Sequence, residues 1–184
     1  AAGERRHLPG GEIALAAFLG LILINAGRAP SGEPADSPLL KGHAMPRLLI
    51  AVDGSTHSDN ATRFALDLAR RCGSAEIFVI TVMPTLSGEV MTFVSREMID
   101  RYYQETGTKA LASARALLDG AGVAYKHHIG IGPIGPTIVD YATQQRCDQI
   151  ILGSRGHGAM VGLILGSVAT RVIAEATQPV TVVK

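Results

Sequence analysis

The chain has no tryptophan, and its four tyrosines and four phenylalanines bring aromatic residues to only 4% of 184 positions. That argues against a base-stacking platform or an aromatic-rich carbohydrate groove, both of which need several presented rings. Cysteine is equally scarce. Cys72 and Cys147 are too few for a disulfide framework or a thiolate zinc site, and their separation points to a reduced, cytoplasmic protein. Excess charge is also missing: 17 Lys and Arg against 16 Asp and Glu leave +1, so no long-range field draws the chain to nucleic acid or an acidic membrane. No apolar run is long enough to span a bilayer. The longest, Ile13 to Ile24, reaches only about 18 Å as a helix against a hydrocarbon core of about 30 Å. The pattern GxxxxGK[ST] is absent, which excludes a P-loop enzyme.

What is present describes one folded unit. Hydrophobic residues make up 47%, mean hydropathy is +0.23, and 21 glycines with 9 prolines punctuate many short elements. Residues 1–44 stand apart: basic Arg5 and Arg6, the apolar run, then a Gly, Pro, Ser and Ala-rich linker without period up to Ala44. They read as a poorly ordered extension, dispensable for the fold. A start at Met45, a secretory signal or anchor, and a helix that packs on the domain all remain open for it. The folded domain is expected over 45–184.

From Arg47 onward, β-branched and aliphatic runs alternate with helical periods. LLIAV (48–52), EIFVITV (76–82), VAYKHHI (123–129), QIILG (149–153) and PVTVV (179–183) read as strands. Between them, helical spacing runs through Ala61, Phe64, Ala65, Leu68 and Cys72, from about Ser95 to Asp119, from about Pro136 to Gln145, and from about Ser167 to Ala176. Short parallel strands need helical crossovers, and right-handed crossovers cover both faces. The fold class is therefore α/β, a doubly wound, Rossmann-like, five-stranded parallel sheet. Such sheets bind ligands beyond the carboxyl ends of the strands where strand order reverses, which directs attention to Asp53, Val82 and Gly153.

The sharpest feature is GSRGHGAMVGLILGS (153–167). Gly153 and Gly156 let the backbone turn off a strand with amides free to face an anion, and Gly166-Ser167 opens the last helix, where unpaired N–H groups and the dipole favour negative charge. Ser167 either caps that helix or donates to a phosphate oxygen. Asp53 has two readings as well, a turn former in Asp-Gly-Ser or a ligand group. Gly130 to Gly135 also fits GxGxxG, yet Pro133 and Pro136 lack the amides a pyrophosphate needs. His127 and His128, adjacent on a strand, point to opposite faces and cannot share a metal; one is expected exposed and the other packed.

Gly153-x2-Gly156-x9-Gly166-Ser167, with LLIAVDGS at the start and PVTVVK at the end, resembles the nucleotide-binding signature of the universal stress protein family, in its ATP-binding subgroup. The resemblance spans 45–184. It implies that Asp53, beside Ala51 and Val52, lies near a ribose, that Val82 offers backbone groups to adenine, and that Leu152, Gly153, Arg155 and Gly156 flank ribose and phosphates. Gly166, Ser167 and Val168 then hold the phosphate chain. Gly135 and Pro136 depart from the family pattern, at the start of the third helix and away from the nucleotide motif. The resemblance also implies a homodimer through the last strand (179–183), and proline at Thr181 is expected to remove an edge donor. The function that follows is a stress-response module that binds ATP, with or without Mg²⁺, and changes its surface or its regulatory partner. A slow ATP hydrolase or adenylate-handling enzyme, and a structural dimer with an empty site, are the alternatives.

Overall fold

Four of the strands are short, largely aliphatic runs, and the remaining one, at a sheet edge, is mostly polar. In the computed structural model, which describes residues 45–88, 93–158 and 165–184, these runs become β1 (Arg47–Ala51), β2 (Glu76–Met83), β3 (Tyr125–Ile131), β4 (Gln149–Gly153) and β5 (Val180–Val183). All pairings are parallel, in the order β3-β2-β1-β4-β5. The helices are α1 (Thr56–Arg71), α2 (Arg96–Gly120), α3 (Ile134–Gln144) and α4 (Ser167–Glu175). The doubly wound expectation holds. No helix among the described residues is long and apolar enough to cross a membrane.

Four of the five strands differ from the sequence pattern by one or two residues, β3 by two at each end, and two helix starts differ for local reasons. Helix α1 starts five residues before the first apolar position, Ala61, because the Ser55 hydroxyl accepts the Ser58 amide at 3.3 Å and caps it there. Helix α3 starts ahead of Pro136, at Ile134, because proline in a first turn costs no intrahelical hydrogen bond.

Alternation along the strands separates two cores. Leu48, Ile50, Ile77 and Val79 face α1 and α2, where Ala61, Ala65, Leu111 and Leu118 meet them. On the other face Leu49, Phe78, Ile80 and Ile150 meet Ile138 and Ala142 of α3 and Val172 of α4. Burial on both faces explains why the central strands are aliphatic throughout instead of alternating with polar residues.

The edge strands bring two corrections. His127 and His128 are both exposed, because β3 is an edge strand: His128 stacks on Tyr141 with centroids 4.8 Å apart, and the His127 ring lies 6.2 Å from that of Tyr125. At the opposite edge, the Ile150 amide donates to the Pro179 carbonyl and the Ser154 amide to that of Val183. Residues 179, 181 and 183 therefore direct their backbone groups toward β4, and Thr181 is a ladder residue, not an edge donor. The outward amides of β5 belong to Val180 and Val182. The expected extension at 1–44 lies outside the described residues.

Candidate functional site

Strand order reverses between β1 and β4. From β1 the chain builds outward through β2 and β3, then crosses back to lay β4 against β1 in register Ala51↔Leu152. The connections leaving these two neighbours diverge, β1 to α1 and β4 to α4, and open a crevice at the carboxyl ends of the strands. A pocket of about 360 Å³ fills it.

The eleven residues singled out from the sequence come together there. Ala51, Val52 and Asp53 reach it from β1, Val82 from β2, Leu152, Gly153, Arg155 and Gly156 from β4 and its loop, and Gly166, Ser167 and Val168 from the start of α4. The sequence reading passed over Ile80, Ile134 and Ile138, which form an apolar wall with Val82. Their signals were present: Ile80 shares a face with Val82 at a spacing of two, and Ile134 and Ile138 stand one helical turn apart. Ser58, Ser154, His157, Gly158 and Ala169 also line the pocket.

One end of the pocket is formed by the start of α4. Gly166, with φ −74° and ψ 161°, is the N-cap of α4, so Ser167 is the first helical residue and its exposed hydroxyl makes no cap bond. That decides between the two readings of Ser167 against the cap. The Gly166 amide donates to the Ser154 carbonyl at 2.8 Å, whereas those of Ser167, Val168 and Ala169 have no acceptor within the helix. Arg155 forms no ion pair among the described residues. At the other end, the last rung between β1 and β2 is the Val52 amide on the Ile80 carbonyl, 2.9 Å. By strand parity Val82 directs its N–H and C=O the same way, past the point where β1 has turned off. A donor and an acceptor thus stand beside the apolar wall.

Asp53 sits between these ends, exposed but held. Its Oδ1 accepts the Ser55 amide at 3.0 Å and its Oδ2 accepts the His157 amide at 3.1 Å. Partial burial works to raise its pKa, but the Ser55 and His157 hydrogen bonds, with the His157 charge, outweigh it and bring the carboxyl below its ordinary 3.8.

The three signature glycines do unequal work. A Cβ on Gly153 would lie 2.8 Å from the His57 carbonyl carbon, so this glycine is required by the packing of α1 on β4. A Cβ on Gly156 would run into the Asp53 carboxylate. For these two the expectation of glycine for phosphate contact alone is incomplete. Only Gly166 has room, with its nearest neighbours at 3.5 Å. The run Gly130–Gly135 contributes no cradle: Pro133 is the N-cap of α3, and the residue of this run that lines the pocket is apolar Ile134, the second of its xx pair.

A sequence profile of the universal stress protein family matches residues 45–184. The chain belongs to that family. A universal stress protein of Methanocaldococcus jannaschii is 32% identical over 144 residues, covering 75% of this chain and 81% of its own. Among solved structures, universal stress protein UspA from Lactobacillus plantarum is similar with a TM-score of 0.65 at 23% identity, covering 78% of this chain and all (100%) of its own. An Arabidopsis thaliana member of the family with AMP bound is similar with a TM-score of 0.54 at 21% identity, covering 76% of this chain and 91% of its own. Within this universal stress protein, the profile spans both walls of the pocket.

Proposed function

We propose that this universal stress protein binds an adenine nucleotide, ATP, in the crevice between β1 and β4, and acts as a stress-response module whose surface or partner choice changes with occupancy. The observation that carries the reading is the polarity of the pocket. An apolar wall with an unpaired backbone donor and acceptor at Val82 suits a flat heterocycle, and the amides at the start of α4 suit phosphates. Asp53 stands between them at the level of a sugar. The AMP-bound relative supports the same ligand class, as does a similar universal stress protein in complex with cAMP, 20% identical with a TM-score of 0.58.

Among the described residues no cluster of three or more His, Cys, Asp or Glu could hold a metal, and Asp53 is the pocket's carboxylate. We place any Mg²⁺ on the phosphate oxygens of the nucleotide. With both oxygens of Asp53 accepting backbone amides, binding is the favoured role over turnover. The free thiols of Cys72 and Cys147 fit a reducing compartment, the cytoplasm. We take 45–184 as the binding unit and 1–44 as dispensable for it. The outer edge of β5, unpaired among the described residues, is our choice for a homodimer contact, and Val182→Pro should shift the protein toward monomer in sedimentation.

The test is direct. Purified protein is denatured and the released small molecules are identified by mass spectrometry, and the emptied protein is titrated calorimetrically with ATP, ADP, AMP and cAMP. Heat with ATP at micromolar to millimolar ligand supports the reading. No heat with any of the four would refute it, and sustained multiple turnover of ATP would replace it with the hydrolase reading.

A further inference from the structure

We infer that Asp53 is a positioning residue for the anion-binding side of the pocket: its single carboxylate clasps the β1–α1 turn to the β4–α4 loop, and position 156 is glycine because that carboxylate occupies the space of a Cβ. The inference goes beyond nucleotide binding, since it follows from contacts within the chain and holds for the empty pocket.

The clasp is assembled from two directions. Locally, the Ser55 amide binds Oδ1 at 3.0 Å, an Asp-to-second-residue turn that orients the carboxylate before any distant partner is required. From across the crevice, 104 residues further along the chain, the His157 amide binds Oδ2 at 3.1 Å. Among the described residues this is the one hydrogen bond made by the segment 155–158. Its flanks are pinned instead by the Ser154 amide on the Val183 carbonyl, 2.6 Å, and the Gly166 amide on the Ser154 carbonyl, 2.8 Å. Remove the carboxylate and residues 155–158 lose their one hydrogen bond among the described residues.

Gly156 is the counterpart of the clasp. Its α-carbon lies against the carboxylate so closely that a methyl group would collide with Oδ2. The same backbone borders the helix start: a Cβ at Gly166 would find the Arg155 Cα at 3.5 Å and the Gly156 amide nitrogen at 4.0 Å. Where Asp53 holds the loop therefore fixes the width of the gap between that loop and the free amides of α4. A carboxylate that only formed a turn would need no partner in the loop, and one that only met a ribose would need no glycine at 156.

The test uses the full chain without nucleotide. Amide exchange at His157, followed by NMR, should accelerate about tenfold in Asp53→Ala, the loss expected for a charge-assisted hydrogen bond at a partly exposed site. In Asp53→Asn, which has one acceptor oxygen for two N–H groups, protection should fall at His157 or at Ser55. Gly156→Ala should lower the melting temperature in the wild-type background and lower it less when combined with Asp53→Ala, because the obstructing oxygen is gone. Unchanged His157 exchange in Asp53→Ala, or an equal cost of Gly156→Ala in both backgrounds, would overturn the clasp. A ligand arm separates it from a sugar contact: with Asp53→Asn, inorganic tripolyphosphate, which has no ribose, should lose affinity together with ATP. Loss for ATP alone would assign Asp53 to the sugar and overturn the positioning role. If wild type binds neither ligand, the nucleotide reading fails, and the exchange experiment decides the clasp by itself.

Discussion

Gly153 and Gly166 should respond in opposite ways to the same added methyl group, and the contrast separates folding from binding. At Gly153 the new carbon would stand 2.8 Å from the His57 carbonyl carbon and 2.9 Å from its oxygen. Both atoms are backbone in the first turn of α1, so the helix must move. Overpacking of this kind costs roughly 1–3 kcal/mol, or roughly 3–10 °C of melting temperature in a domain of this size. At Gly166 the nearest atoms are at 3.5 Å, ordinary contact, and φ −74° with ψ 161° suits any residue. Replacing glycine there gains roughly 0.4–1 kcal/mol from a less flexible unfolded chain, and alanine as a poorer N-cap gives back a similar amount. The melting temperature should stay within about 2 °C. The methyl nevertheless projects toward the Arg155 and Gly156 backbone, into the gap where we place the phosphates. Calorimetry with ATP should therefore show Gly166→Ala weakened about tenfold or more, a difference of about 1.4 kcal/mol, with its fold intact. Gly166→Ala binding ATP as tightly as wild type would refute the placement of phosphate at α4, and Gly153→Ala melting like wild type would refute the packing argument.

Three further outcomes are expected. Ser167→Ala should leave the melting temperature nearly unchanged, because Ser167 makes no cap bond, while ATP affinity drops up to about tenfold if the hydroxyl donates to phosphate; parallel calorimetry and thermal melts check both halves. Native protein should react with one equivalent of a thiol reagent such as dithionitrobenzoate near pH 8, at exposed Cys72, while buried Cys147, its pKa pushed up to about 12 mainly by desolvation, reacts only on unfolding. Two fast equivalents would contradict the burial. The stabilisation from Asp53 should be flat between pH 5 and 8. Its folded pKa lies below the ordinary 3.8, so its contribution is present above that value and is lost as pH falls through the lower folded pKa. The melting difference between wild type and Asp53→Asn, followed down to pH 2, should close only in acid; closure near pH 6 would point to a different group.

The architecture was legible because it rests on runs and periods. QIILG became β4 with the expected bounds, and the α2 stretch ended within one residue of its reading, at Gly120. The pocket's membership was legible for a related reason: parallel strands put Asp53, Val82 and Gly153 at their carboxyl ends wherever the side chains go. What sequence could not supply was contact across the crevice. Nothing in GSRGHG reveals that Gly156 yields to a carboxylate 103 positions earlier, or that Gly153 yields to the first turn of α1. Strand parity at β5 was equally hidden, since PVTVV alone does not say whether the odd or the even residues face β4. The exposed histidines of β3 misled because alternation predicts opposite faces but not whether an edge strand covers either.

The strand order has a consequence for how the protein is made. β1 is central, yet its partner β4 begins 98 positions after β1 ends, at Gln149 against Ala51. A chain emerging from the ribosome can pair β1 with β2 and β2 with β3 and pack α1 and α2, but it then carries β1 as a raw aliphatic edge until the last fifth, from Gln149 on, arrives. The pocket does not exist in that intermediate, because one of its walls has not yet been synthesised. A ligand that binds only the completed crevice stabilises the finished topology and not the partial one, by an amount that grows with the logarithm of its concentration. Ligand supply would thus act on the closing step of folding, where the exposed β1 edge is exchanged for β4.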